Sequence, residues 1–146
     1  MLKLYTASSW RNKNYPDIVA KLKRAGFEVY DFQQAISTTG KDVAFNWDQI
    51  DPKWEIWSNR EFVEALRNPL AENAFKSDRE AMERADACIL ILPCGKSAHI
   101  EAGYMKGLGK KLYILLDSSR PELTYSISDG IFDSITDLIV KLWGVQ

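Results

Sequence analysis

The sequence predicts an α/β protein built on a small doubly wound parallel sheet, and three observations support this class. Short apolar segments alternate with amphipathic ones along the chain. Residues 2–32 contain strand, helix and strand in succession, the pattern of a right-handed parallel crossover unit. Residues 86–93 (DACILILP) are almost entirely apolar, which is typical of a strand buried on both faces of a parallel sheet. We therefore expect about five parallel strands with helices on both faces.

The first crossover unit has clear boundaries in the sequence. Residues 2–7 (LKLYTA) are predicted to form the first strand. A helix is expected over 15–26, because its apolar residues recur on one face, Pro16 suits a first turn and Gly26 suits a helix end. Residues 27–32 (FEVYDF) are then predicted to form the second strand.

Residues 34–70 interrupt this alternation and are predicted to be a Trp-rich insertion. Three of the five tryptophans lie in 45–57, where the periodicity is poor and a proline breaks it. We expect short helical pieces, one of them over 58–68 with Ser58 or Asn59 as its N-cap.

After the insertion the alternation resumes. A helix is predicted over 77–85, with Ser77 as N-cap and Glu80 in the capping-box position. The remaining predicted elements are strand 86–93, helix 98–109, strand 111–116, a short strand 130–134 and helix 134–144.

With five strands, the expected order is 2-1-3-4-5, the flavodoxin-like order within the Rossmann-like doubly wound sheets, and a ligand crevice lies where strands 1 and 3 end. These ends are residues 7–10 and 93–97. Helix N-termini lie at the same edge, so we expect Asp78, Ser97 and Glu101 to face the crevice. Asp86 begins strand 3, so we expect it at the opposite edge in a structural role.

Composition excludes several classes of protein. A chain of 146 residues fits a single domain, 1–146. A net charge of −1 without a basic block argues against binding to duplex nucleic acid. No apolar run approaches a membrane span and no signal peptide is recognisable, so we expect a cytoplasmic protein.

Two nearby residues, Cys94 and His99, suggest a thiol–imidazole pair or two metal ligands. With one histidine and two cysteines in the chain, we expect no metal site and no cofactor. In the simpler interpretation, Cys94 is a small residue at a tight turn and His99 is a polar residue near a helix N-terminus. The GKS segment at 95–97 is not a Walker loop, because the glycine required earlier is Leu90.

Glu101 admits two interpretations. A carboxylate in the first turns of a helix interacts favourably with the helix dipole. Alternatively, after a loop of small and polar residues at the crevice, it suits attack on C1′ of a sugar as the base leaves, through an oxocarbenium-like transition state. Ser97 and the backbone N–H groups of the loop would then hold a sugar hydroxyl or a 5′-phosphate.

Several segments together resemble the nucleoside 2-deoxyribosyltransferase family, which includes nucleoside 5′-monophosphate N-glycosidases. They are the strand-1 tyrosine in KLYTA, the second strand in GFEVYDF, the helix flanked by Asp78 and Asp86 before an apolar strand, and SAHIEAGY at 97–104. The resemblance covers residues 2–33 and 75–116 in the right order.

The resemblance implies specific roles. Glu101 is the expected nucleophile, Tyr5 the hydroxyl that orients it, and Asp78 a contact to the base or an acid for the leaving group. Gly95 and Ser97 match the loop that holds the 5′-phosphate. The family also implies a homodimer or higher homo-oligomer that acts on a small nucleoside or nucleotide.

Two features of the loop 93–100 (PCGKSAHI) favour hydrolysis of a nucleotide over base exchange. The loop contains no acidic residue, and Lys96 makes it cationic. The insertion offers aromatic rings that stack on a base, or else an accessory core. The expected substrate-binding residues are Ser8, Trp10, Gly95, Lys96, Ser97, His99, Trp47 and Asp48.

The predicted function is therefore cleavage, by hydrolysis or transfer, of an N-glycosidic bond. The alternatives are a non-catalytic nucleotide-binding module, a TIR-like NAD-processing signalling module, and an oligomeric interaction protein with a vestigial crevice. An open pocket with Tyr5 in hydrogen-bond reach of Glu101 distinguishes an enzyme from a vestigial site.

Overall fold

The computed structural model describes residues 1–118 and 120–145, in which five parallel strands form one sheet in the order β2-β1-β3-β4-β5. This confirms the predicted fold class and strand order. The strands are β1 (Lys3–Ala7), β2 (Glu28–Tyr30), β3 (Ala87–Ile91), β4 (Lys111–Leu115) and β5 (Gly130–Phe132).

Within the described part of the chain, five α-helices connect or follow the strands. They are α1 (Tyr15–Arg24), α2 (Asn59–Ala65), α3 (Pro69–Arg84), α4 (Lys96–Gly107) and α5 (Ile135–Trp143). Short 3-10 turns occur at Phe32–Gln34, Trp47–Gln49, Trp54–Ile56 and Leu123–Ile127.

The core is centred on β3, which pairs with β1 on one side and β4 on the other. All five of its residues are buried. Because successive side chains of a strand point to opposite faces, uniform burial means that both faces of the sheet are covered. Asp86 immediately precedes β3, and its carboxylate accepts a hydrogen bond from the backbone N–H of Lys3 at 2.8 Å. This agrees with its predicted structural role where strands 1 and 3 begin.

The chain divides into two compact units. The first comprises Met1–Asp31 and the chain from Met82 onward, and it contains the whole sheet; the second is Phe32–Ala81. Within the second unit, the ring of Trp47 contacts Phe45, Trp57 and Phe62 with centroid distances of 5.0, 5.7 and 5.8 Å. The predicted insertion 34–70 therefore lies inside a unit with its own aromatic cluster.

The predicted start of the third helix, at Ser77, is wrong. α3 runs from Pro69 to Arg84, and Ser77 is buried in its interior rather than capping its N-terminus. Pro69 occupies the first turn, where its missing N–H is harmless. Asn68 caps this turn, since its Oδ1 accepts a hydrogen bond from the N–H of Leu70 at 2.9 Å. The predicted capping role of Glu80 is wrong for the same reason.

The other two helices of this region, α2 and α4, differ less from the predicted boundaries. α2 begins after Ser58, whose side chain accepts from the N–H of Glu61 while the Glu61 side chain accepts from Ser58, a complete capping box. α4 begins two residues earlier than predicted, so Lys96 and Ser97 belong to its first turn.

Candidate active site

A tyrosine and a glutamate from different elements of the first unit are in contact. Tyr5 lies in the middle of β1 and is 1% exposed. Glu101 lies in the second turn of α4 and is partly exposed. The Tyr5 hydroxyl donates a hydrogen bond to Oε2 of Glu101. The expected contact is therefore present, and it fixes the position of one carboxylate oxygen.

The fold brings these residues together because α4 follows β3 after a short loop, and β3 pairs with β1. Tyr5 is opposite Cys88 in the register. Ala98 and Ala102 are buried on α4, and their small side chains let the helix lie close to the sheet. On its other side, Tyr5 stacks on Tyr30 of β2, with ring centroids 5.4 Å apart and planes 11° from parallel.

The loop before α4 offers backbone donors at a positively polarised helix end. Gly95 is the N-cap and has an extended backbone with no side-chain cap. The N–H groups of the first helical turn have no acceptor within the helix, so they suit an anion. Lys96 and Ser97 in this turn are exposed, which makes the loop accessible and cationic.

The end of β1 is tied to the end of β3. Ser8 Oγ donates to the carbonyl of Ile91 at 2.8 Å, and Asn12 Nδ2 donates to Ser8 Oγ at 3.1 Å. Asn12 is only 2% exposed, and sequence reasoning missed it, since a single buried amide before a helix leaves no periodic signal. Trp10, in the same loop, is 44% exposed.

His99 links the α4 loop to the segment after β4. Its Nδ1 lies 2.7 Å from the carbonyl oxygen of Gly95, and its Nε2 lies 2.9 Å from the hydroxyl of Tyr125. The two rings stack at 5.8 Å with planes 14° apart. Both residues line a cleft of about 430 Å³, together with Cys94 and Arg120. Tyr125 carries no sequence signal, because residues 117–129 show no regular pattern.

Cys94 is half-buried beside His99, with Sγ 3.8 Å from Nδ1. Burial, followed by the negative charges of Asp117 and Glu101, raises the pKa of the Cys94 thiol to about 12. The thiol therefore stays protonated at neutral pH and is a poor nucleophile. This favours the simpler interpretation, in which Cys94 is a small residue at a turn.

Three of the predicted site residues lie in the second unit. Trp47 belongs to the aromatic cluster described above, and Asp48 is an exposed neighbour in the same 3-10 turn. Asp78 lies within α3 rather than in its first turn. The argument that it begins a helix at the crevice is therefore wrong, and its predicted role rests on the resemblance alone.

Residues 1–118 and 120–145 contain neither a cluster of metal ligands nor a helix that could cross a membrane. No group of three or more histidine, cysteine, aspartate or glutamate side chains is arranged to hold a metal ion. In the same ranges, no helix combines the length and apolar composition that a membrane crossing needs.

Fold and site together define a doubly wound α/β protein with a tyrosine–glutamate pair between β1 and α4. No family model and no curated protein matches the chain. Solved structures do match. One is the 2-deoxyribosyltransferase of Bacillus psychrosaccharolyticus, with a TM-score of 0.62 and 19% identity over 94% of this chain and 90% of that one. Another is the CMP N-glycosidase BcmB of Clostridium botulinum, with a TM-score of 0.53 and 18% identity over 96% and 97% of the two chains. These similarities confirm, at the level of the fold, the resemblance to the 2-deoxyribosyltransferases.

Proposed function

We propose that this chain is a member of the nucleoside 2-deoxyribosyltransferase family and cleaves the N-glycosidic bond of a nucleoside or nucleoside 5′-monophosphate, with Glu101 as nucleophile. The observation that carries the proposal is the hydrogen bond from the buried Tyr5 hydroxyl to the Glu101 carboxylate. The shared fold of a deoxyribosyltransferase and a CMP N-glycosidase supports the same class of reaction.

The chemistry follows from a positioned carboxylate. A Glu101 oxygen forms a bond to C1′ while the C1′–N bond breaks and its electron pair leaves with the base, which takes a proton from an acid or from water. The transition state carries positive charge on the sugar, which a nearby carboxylate stabilises. Water, or a second base, then attacks C1′, loses a proton and regenerates the carboxylate. Tyr5 reduces the orientational freedom of the nucleophile before attack.

The loop before α4 supports a phosphorylated substrate. Gly95, Lys96 and Ser97 combine first-turn N–H donors, a hydroxyl and a positive charge at the end of β3, which is the chemistry that binds a phosphate. The absence of an acidic side chain in this loop favours hydrolysis over transfer. Homo-oligomerisation and the role of Asp78 stay predictions of the resemblance. Cytoplasmic location and the roles of Trp47 and Asp48 stay predictions from the residues of the chain themselves.

The test measures release of free base from nucleosides, their 5′-monophosphates and NAD, with and without an acceptor base. We expect the wild type to release base from a monophosphate. We expect Glu101→Ala and Glu101→Gln to lower the rate by about 10³-fold or more, because they remove the nucleophile. Exchange that occurs only with an acceptor base would instead identify a transferase.

The matched control is Glu83→Gln, which removes an exposed carboxylate that bonds to Tyr104 in the same unit. It should keep wild-type activity. Turnover retained in Glu101→Ala would eliminate Glu101 as nucleophile. Binding of a monophosphate without release of any base would support the alternative of a non-catalytic nucleotide-binding module, and release from NAD alone would support the NAD-processing one.

A further inference from the structure

We propose that Tyr125, acting through His99, is a positioning residue for the phosphate-binding loop Gly95–Ser97, and so sets the preference for a 5′-phosphorylated ligand. This inference rests on the proposed function, since it assigns a determinant of substrate choice within that site. The residue lies 26 positions from His99 along the chain, and neither the sequence pattern nor the resemblance assigns it a role.

The hydrogen-bond geometry determines which atom donates. A carbonyl oxygen only accepts, so the 2.7 Å contact with Gly95 places a proton on Nδ1 of His99. In the neutral ring, Nε2 is then an acceptor, and the Tyr125 hydroxyl, 2.9 Å away, donates to it. The Gly95 carbonyl therefore sets the tautomer, and the Tyr125 hydroxyl, as donor to Nε2, holds the His99 ring in the orientation that keeps this bond to the N-cap carbonyl of α4.

Tyr125 is itself held in place. It lies in the 3-10 turn Leu123–Ile127, and its carbonyl accepts from Ser128 Oγ at 2.7 Å and from the Ser128 N–H at 3.0 Å. Stacking against His99 adds a second, apolar contact between the same two side chains. The chain of contacts runs from the turn to Tyr125, to His99 and to Gly95.

The hydroxyl remains a donor at physiological pH. Burial is the main cause that raises the pKa of Tyr125, and the carboxylates of Glu122 and Asp117 act in the same direction. The position of Gly95 matters for ligand binding, because the N–H groups of the first turn of α4 begin at the next residue. If the N-cap moves, the directions of these donors change, and a ligand that depends on them loses affinity. A nucleoside without phosphate does not depend on them.

The test replaces Tyr125 with phenylalanine, which removes the hydroxyl and keeps the ring. We expect the Kd of ribonucleoside 5′-monophosphates and of inorganic phosphate, measured by calorimetry, to rise about 3- to 10-fold, as for the loss of one hydrogen bond. We expect KM for a monophosphate to rise by the same factor, with kcat within about twofold and the KM of the nucleoside unchanged. Ser97→Ala serves as a positive control for loss of phosphate affinity.

Tyr104→Phe is the matched control, because Tyr104 lies on α4 and its hydroxyl bonds to Glu83 rather than to the loop. It should leave every constant unchanged. Equal losses for nucleoside and monophosphate in Tyr125→Phe, or none for either, would overturn the inference, as would a wild type that binds neither monophosphate nor phosphate. A wild type that binds monophosphates without releasing base would refute the proposed reaction and leave the positioning role supported by the Kd values.

Discussion

Tyr5 shows how one side chain serves both the core and the candidate site. Its ring is buried in the sheet and stacked on Tyr30, so it contributes apolar area to the core. A buried phenol also needs a hydrogen-bond partner, and the partner here is Glu101. The hydrogen bond that satisfies the buried Tyr5 hydroxyl therefore also orients the Glu101 carboxylate.

Replacing Tyr5 with phenylalanine tests this orientation. We expect kcat for base release to fall about 10- to 100-fold, because a hydrogen bond to a charged group contributes about 1.5–3 kcal/mol. The control is Tyr15→Phe. Tyr15 is also fully buried, and its hydroxyl lies 2.7 Å from Thr6 Oγ1, away from Glu101. It should lower stability without lowering kcat; equal kcat losses in both variants would show a general packing effect instead.

At the scale of elements, Asp129 connects the end of α4 to the start of β4. Its Oδ2 accepts from Lys106 Nζ at 2.8 Å and from the N–H of Leu112 at 2.9 Å. In return, the N–H of Asp129 donates to the Leu112 carbonyl at 2.7 Å. One acidic residue just before β5 thus joins three elements of the first unit.

The pKa of Asp129 predicts the pH dependence of this connection. Burial tends to raise the pKa, but the hydrogen bonds from Lys106 and Leu112 outweigh it and lower the pKa below its ordinary value of 3.8. The unfolded chain therefore binds this proton more readily than the folded chain. As a result, the free energy of unfolding rises with pH between the folded-state pKa of Asp129 and 3.8. The contribution is complete above 3.8 and is lost as the pH falls through the lower, folded-state value.

Urea unfolding of Asp129→Asn checks this prediction. We expect a loss of about 1–2 kcal/mol in the free energy of unfolding at pH 7, and a smaller difference from wild type near pH 3. Asp17→Asn is the control, because Asp17 pairs with Lys21 on the exposed surface of α1, where ion pairs contribute little. A difference from wild type that is the same at both pH values would contradict the assignment.

At the scale of the whole molecule, β3 is the element on which the rest of the sheet depends. Ile89 lies in its middle, opposite Thr6 of β1 and Tyr113 of β4, and is completely buried. In contrast, Ile131 on the edge strand β5 is 46% exposed. The two isoleucines therefore differ in burial while sharing the same sheet.

This contrast predicts the stability of two matched variants. Ile89→Ala should lower the free energy of unfolding by about 2–5 kcal/mol, because it removes buried methylene groups and leaves a cavity. Ile131→Ala should lower it by less than about 1 kcal/mol. Chemical denaturation monitored by tryptophan fluorescence and by circular dichroism measures both. Similar losses for the two variants would mean that β3 is not the centre of the core.

Helix boundaries show where sequence interpretation falls short. Pro69 suits either a residue that ends one helix or the first turn of the next, and the sequence alone does not distinguish them. The cap from Asn68 and the burial of Ser77 show that Pro69 begins α3. The expected position of Asp78 at the crevice depended on this boundary, so a single ambiguous proline removed the positional argument for Asp78.

The sequence by itself determined the parallel sheet and its strand order. Both follow from periodicity and from the rule that parallel strands end at one edge, which act locally along the chain. The expectation that Tyr5 orients Glu101 came instead from the resemblance of short segments to a known family. Only the tertiary structure revealed Asn12 beneath Ser8 and Tyr125 against His99. Irregular loops bring these side chains together, and such loops satisfy their hydrogen bonds through partners distant in sequence. No periodic pattern records that pairing, so it becomes visible only when the chain is folded.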